Sequence, residues 1–187
     1  MKRLIIGLVG EKGSGKGTFT SILKETLPEK AIDQITFSDV LTDSLNVWAL
    51  PPSRENYIKM MVSMKNTFGG DVLANAIKAR VEKLPGEIVV IDGMRWPADE
   101  VLIRSFPKNV VLYITAVPKI RYERTKSRGQ KAGEKDATFE QFMEQESAET
   151  EVYIPKIGEK ADFTINNDGP LDEFIEQVKT FSKKHVT

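Results

Sequence analysis

Short apolar, β-branched runs recur along the chain at residues 4–9, 32–37, 88–91, 110–115 and 163–165. Runs of this length and type suit strands buried on both faces of a parallel sheet. Helical periodicity fills the intervals, at residues 18–27, 40–50, 54–68, 71–84, 98–105, 119–128, 139–150 and 171–183. The turn Pro51-Pro52 separates the second helix from the third. Strand alternating with helix builds βαβ units, so the pattern predicts a three-layer α/β/α fold around a five-stranded parallel sheet. One stretch breaks the rhythm: "RGQKAGEKDAT", residues 128–138, is polar and glycine-bearing. It reads either as a solvated loop or as the tip of a small helical lid over a substrate. Thr138-Phe139-Glu140-Gln141 then has the form of a capping box that restarts a helix.

The first strand runs into "GEKGSGKGT", residues 10–18, with Gly10-x-x-x-x-Gly15-Lys16 at Walker A spacing. Glycines let successive backbone N–H groups turn inward toward phosphate oxygens, and the following helix adds the positive end of its dipole. The loop follows an expected strand and opens an expected helix, the context such a motif requires. Gly10, Lys12, Gly13, Ser14, Gly15, Lys16, Gly17 and Thr18 are therefore the candidate ATP-binding residues. Lys16 is expected to stand exposed and to reach the β- and γ-phosphates. A hydroxyl that would ligate Mg²⁺ directly after the lysine is replaced by Gly17, and comes one residue later as Thr18. The run "IVVIDGMRW", residues 88–96, ends a strand on Asp92. A carboxylate there, beside a phosphate-binding loop, suits a Walker B acid holding magnesium directly or through water.

"GSGKGT" resembles adenylate kinase and its nucleoside monophosphate kinase relatives. That resemblance implies magnesium held largely through water, with Asp92 its indirect ligand and Thr18 near the α- and β-phosphates. "IDGMR" is similar to the Asp-Gly-x-x-Arg region of adenylate kinases with one residue fewer, which implies that Arg95 holds the acceptor's phosphate. "FSDVL", residues 37–41, resembles the strand end and helix that border the acceptor pocket. There Asp39 is the candidate acceptor ligand or base, Thr42 stands where an arginine is usual, and Lys65 supplies part of the missing charge. "RYERTKSRG" resembles the helix leading into a kinase lid, which implies Arg124 and Arg128 near the transferred phosphate. Arg121, Arg124 and Arg128 have i,i+3 and i,i+4 spacing, so one helix face carries all three. "EQFMEQESAET" offers acids and amides where post-lid arginines are expected. "ADFTINNDGPLDEF", residues 161–174, looks like the last strand and helix of dephospho-coenzyme A kinases and small nucleotide-kinase-like proteins, a region that borders adenine.

Composition narrows the picture further. The 187 residues fit one domain, and 27 basic against 27 acidic residues leave no net charge. Neutrality argues against a dedicated nucleic-acid or membrane surface. The sequence has no cysteine and a single histidine, His185, which removes thiol and most histidine chemistry. No apolar run is long enough for a membrane span and no signal-peptide pattern is present, so a cytoplasmic protein is expected. The expected organisation is a core of residues 1–37, 86–120 and 160–187, an acceptor-binding helical region of 38–85 and a lid region of 121–159.

The function expected is ATP- and Mg²⁺-dependent transfer of the γ-phosphate to a nucleoside or deoxynucleoside monophosphate, by a monomer or small homo-oligomer. Phe37, Val40, Leu41 and Trp48 are candidate walls of a base pocket. Two alternatives stay open. One is transfer to a hydroxyl acceptor, as in dephospho-coenzyme A, with Asp39 as base. The other is a P-loop ATPase switch or assembly factor without a small-molecule acceptor.

Overall fold

The structure is a computed structural model that describes residues 3–129, 135–149 and 151–186. Part of the polar stretch read as a lid tip, residues 130–134, lies outside the described residues. Five strands, β1 (Leu4–Val9), β2 (Ile32–Thr36), β3 (Ile88–Met94), β4 (Asn109–Thr115) and β5 (Phe163–Asn166), form one sheet. Their order is β2-β3-β1-β4-β5, and every pairing is parallel. The strand with the most continuous apolar run, β1, lies at the centre with all six residues buried. It pairs Ile6 with Val90 on one side and with Val110 on the other.

Because side chains alternate across a sheet, the two faces collect different helices. Ile6, Leu8, Val90, Leu112 and Ile114 pack with Phe19 and Leu23 of α1 (Lys16–Thr26) and with Phe174, Val178 and Phe181 of α9 (Leu171–His185). The opposite face takes Ile5, Val9, Val89, Ile91 and Val111. It packs against α4 (Val72–Lys83), α5 (Pro97–Arg104) and α8 (Ile154–Gly158). The remaining helices are α2 (Phe37–Val47), α3 (Arg54–Phe68), α6 (Pro118–Arg128) and α7 (Phe139–Glu146). The fold is therefore the expected three-layer α/β/α arrangement, with α6 and α7 at the C-terminal edge of the sheet.

Several boundaries differ from the periodicity by a few residues, two of them for a clear local reason, and one helix escapes it. Phe37 starts α2 instead of ending β2, because the Thr36 backbone N–H and hydroxyl both donate to Asp39, each at 2.7 Å. This capping box stops the strand at Thr36 and begins the helix. Helix α7 starts at the expected box, where Thr138 N–H donates to Gln141 Oε1 at 2.9 Å, but closes at Glu146. Helix α8 was not visible in the pattern. Five residues are too few to show a 3.6-residue period, and it is defined by the burial of Ile154 and Ile157 and by Pro155 in its first turn.

Close approach between β1 and α5 fixes one position sharply. A Cβ at Gly7 would lie 2.7 Å from Met94 Sδ and 2.8 Å from Ile103 Cγ1. Gly7→Ala is expected to lower stability by about 1–3 kcal/mol through overpacking. Gly7→Ala combined with Ile103→Val should recover part of that loss. Urea midpoints of the three proteins test the pair, and equal midpoints for Gly7→Ala and the parent would refute the close contact.

Candidate functional site

β1 delivers Gly10 to the C-terminal edge of the sheet, and the chain turns through residues 10–15 before α1 begins. Gly13 and Gly15 adopt left-handed φ values of 79° and 110°, which side-chain-bearing residues rarely adopt. Space is as restrictive as conformation. An added Cβ would lie 2.3 Å from Ile114 O at Gly10, 2.5 Å from Arg121 O at Gly13, and 2.4 Å from Asn167 Nδ2 at Gly15. The loop glycines are thus fixed by β4, α6 and the turn after β5, in addition to any phosphate. Gly17 is different, with nothing within 4 Å of the Cβ position. The helix cap at Gly15 has no side-chain hydrogen bond, so the first N–H groups of α1, from Lys16 to Thr18, are open to an anion. Ser14 is fully buried, and its Oγ has no hydrogen-bond partner.

Lys16 does not stand exposed as expected. It is half-buried, and its ammonium donates to Gly10 O at 2.7 Å and Glu11 O at 3.1 Å. An uncharged loop of backbone carbonyls holds it where a long side chain would otherwise extend into water. Burial pushes its pKa below the usual lysine value, with the nearby carboxylate of Asp92 opposing that shift.

Asp92 occupies the end of β3, in register with Leu8 of β1 and Thr36 of β2. The strand bulges immediately afterwards, through Gly93 at φ 90°. Burial raises the Asp92 pKa, and the attraction of Lys16 and a hydrogen bond from Gly93 pull it back. Its Oδ1 is buried without a partner. The carboxylate is therefore desolvated, near the Lys16 ammonium, and short of one hydrogen bond.

Around this pair the expected acceptor residues separate. Asp39 is close enough to Asp92 to raise its pKa further, but both Asp39 oxygens accept from Thr36. Thr42 Oγ1 donates to Ser38 O and pairs with Tyr57 Oη, each at 2.9 Å. Lys65 is exposed on α3, and nothing ties it to the Lys16–Asp92 centre. Of the expected base-pocket walls, Phe37 and Val40 belong to the core, Leu41 is half-buried, and Trp48 is 71% exposed. Arg95 follows β3 directly. Its guanidinium bonds Glu151, while its backbone N–H donates to Asp99 at 2.8 Å.

The three arginines of α6 do not act together, although the helix spacing places them on one face. Arg121 is buried. It donates to Ala116 O at 2.7 Å, bonds Glu146 of α7 with both terminal nitrogens, and lies over the Phe142 ring. Arg124 donates to Asn167 O at 2.8 Å. Arg128 is exposed in the last helical turn. The face that begins at Arg121 is turned into α7, so the Arg121 guanidinium is taken up by Glu146.

Sequence reasoning missed Asn167, Glu146 and Glu151. Asn167 is buried and donates to Ser14 O at 2.7 Å, while its own backbone N–H donates to Thr115 O at 2.8 Å. It ties the loop, β4 and α6 together. The signal was a polar Asn-Asn-Asp turn directly after an apolar strand. A pocket of about 340 Å³ opens beside it, lined by Glu11, Thr115, Val117, Arg121 and Asp168. Glu11 accepts from the Tyr113 hydroxyl, whose pKa burial and that bond push up to about 12. Lys12 is half-buried next to Glu11, and its carbonyl accepts from Arg121 at 3.4 Å.

Among the described residues, no three His, Asp or Glu side chains converge as a metal cage. No described helix is long and apolar enough to cross a membrane.

No family model matches the chain. Among solved structures, it resembles shikimate kinase from Bacteroides thetaiotaomicron, with a TM-score of 0.63 and 13% identity over 97% of each chain. Shikimate kinase from Acinetobacter baumannii, solved with shikimate, matches with a TM-score of 0.56 and 14% identity over 98% of this chain and 95% of that one. These likenesses show the P-loop kinase fold and leave the nucleoside monophosphate subtype unsupported. Among curated sequences, a UPF0200 protein of Thermococcus gammatolerans is 28% identical across 98% of this chain and 96% of its own length. A UPF0200 protein of Sulfurisphaera tokodaii is 31% identical over 184 residues, 96% of either chain. Identity of 31% over 96% of both chains makes this chain a member of the UPF0200 family.

Proposed function

We propose that the protein is an ATP-dependent phosphotransferase acting on a small phosphorylated acceptor, best a nucleoside or deoxynucleoside monophosphate. One observation carries this reading: a glycine loop with open helix N–H groups places the Lys16 ammonium next to the desolvated Asp92 carboxylate. In this assignment the loop of residues 10–18 cradles the phosphates, and Lys16 leaves the Gly10 and Glu11 carbonyls to meet the transferred group. Arg124 and Arg128 border the nucleotide. Arg95 grips the acceptor's phosphate, and residues 38–85 and 121–159 flank the acceptor and close over it.

Magnesium fits the residues present. Asp92 offers a buried oxygen without a partner and Ser14 a buried hydroxyl in the same condition. With no cage of protein ligands, the ion would be held through water and the nucleotide's own phosphates. When bound, it would neutralise charge on the transferring phosphoryl group. Asp92 would orient its water shell, and Gly17 would leave room for that water.

Transfer to a hydroxyl acceptor is less well supported, because Asp39 would have to give up the capping box of α2 to serve as base. The switch reading keeps one observation in its favour. Arg121 and Arg95 are both bonded to acids, Glu146 and Glu151, so fewer cations remain to neutralise the transition state. Incubation with ATP, magnesium and a panel of monophosphates and dephospho-coenzyme A decides between them. A phosphorylated product supports the kinase, while slow hydrolysis indifferent to every acceptor supports the switch.

Lys16→Ala should abolish transfer while leaving the melting temperature close to the parent's. Retained activity at saturating ATP would remove the loop from the mechanism. Asp92→Asn should lower turnover by orders of magnitude yet stabilise the fold at neutral pH. The raised Asp92 pKa means that ionising it costs folding free energy above its folded-state value, and nothing below its ordinary value of 3.8. The mutant's advantage should therefore fade as pH falls toward 3.8. Thermal melts across pH check the sign, and a mutant less stable at pH 7 would contradict it. Arg95→Ala should raise the acceptor's KM roughly ten- to a hundredfold with little change for ATP. A lower melting temperature with unchanged KM would make Arg95 structural.

A further inference from the structure

We infer that Glu151 is a specificity-determining residue: its carboxylate occupies the anion site of Arg95 and admits only ligands that outcompete it. The proposal rests on the assignment of Arg95 to the acceptor, and it narrows that acceptor to one bearing phosphate instead of carboxylate. Arg95 sits directly after β3, with its backbone N–H fixed by Asp99 at 2.8 Å. Its side chain is 44% exposed and bonds Glu151, whose side chain is 19% exposed. Both groups lie close enough to Lys16 to act on its charge, Arg95 lowering and Glu151 raising its pKa. The ion pair thus lies within electrostatic reach of Lys16.

The segment that carries Glu151 is anchored by groups other than its carboxylate. It lies in the turn before α8, whose Ile154 and Ile157 stay buried in the core. Tyr153, two residues on, packs on Trp96 with ring centroids 5.5 Å apart. Displacement of the Glu151 carboxylate from Arg95 would therefore leave the segment that carries it docked.

A carboxylate tethered in this way competes at an effective concentration on the order of millimolar. An incoming carboxylate offers Arg95 only the bond it already has, so it gains nothing by exchange. A phosphate dianion brings about one more charge and a third acceptor oxygen, and can displace the tethered group. Glu151 therefore sets a threshold that phosphate esters pass and carboxylic acids do not. An acceptor recognised through a carboxylate falls on the excluded side.

The test titrates the intact protein with inorganic phosphate and with acetate, in the parent, Glu151→Gln, Arg95→Ala and the double mutant. Phosphate held by the glycine loop is common to all four and cancels against the Arg95→Ala background. Glu151→Gln should tighten the Arg95-dependent phosphate site about tenfold and bring acetate binding into the measurable range. The double mutant should lose both gains. Glu151→Asp, which keeps the charge on a shorter arm, gives an intermediate result and serves if Glu151→Gln folds poorly. Unchanged or weaker phosphate binding in Glu151→Gln, or no Arg95-dependent site in any protein, overturns the proposal. None of these titrations needs ATP or turnover, so failure of the kinase reading would appear separately, in the transfer assay.

Discussion

The parallel pairing of β1 with β3 is the constraint on which the remainder depends. It sets Leu8 opposite Asp92, two residues before the glycine loop, and so brings a carboxylate to the ammonium that returns along that loop. Neither charge is comfortable there. Burial pushes the Lys16 pKa down and the Asp92 pKa up, and each resists the other's neutralisation. A fold can carry such a pair only if the strands beneath it are held firmly. Here β1 is buried from end to end, with helices on both faces of the sheet. Groups with pKa values displaced this way, at the carboxyl edge of a parallel sheet, mark the place as the candidate site.

A second layer of electrostatics surrounds that centre. Arg121 meets Glu146 and Arg95 meets Glu151, so two arginines near the loop are matched by two acids from the segment spanning α7 and α8. The two pairs differ in kind. Arg121 is buried, bidentate and stacked over Phe142, so removing either partner would leave a desolvated charge behind. Arg95 keeps nearly half of its side-chain surface in water. Balance of charge over the whole sequence therefore has a local counterpart, in which acids are stationed against the cations of the site.

Much of the architecture was legible before any coordinates, because parallel strands announce themselves through continuous β-branched runs. The five strands, their alternation with helices, and the placement of Lys16 and Asp92 all follow from runs such as "LIIGLV" and "IVVI". What was hidden depends on contacts between distant residues. Nothing in "FSDVL" reveals that Asp39 spends both oxygens on Thr36. Helix α8 is too short to show a period, and the α6 spacing could not show which arginine turns inward. The acids of "EQFMEQESAET" read as missing arginines, when two acids from that segment and its end, Glu146 and Glu151, are the partners of arginines elsewhere. The glycines were read as accommodating phosphate alone, while their neighbours in β4, α6 and the turn after β5 already demand them.

The tie made by Asn167 has a consequence for how the molecule comes into being. Its side chain bonds Ser14 O across 153 residues of sequence, and its backbone bonds Thr115 O. The glycine loop is thus tied to a residue synthesised 153 positions after it. Contacts of such long sequence separation form late, since the intervening chain must be ordered before they can close. While a nascent chain still lacks β5, β1 and β3 can pair, but Ser14 has no Asn167 to hold it and Arg124 has no anchor. The tie between the glycine loop and the turn after β5 therefore cannot form until β5 has been made.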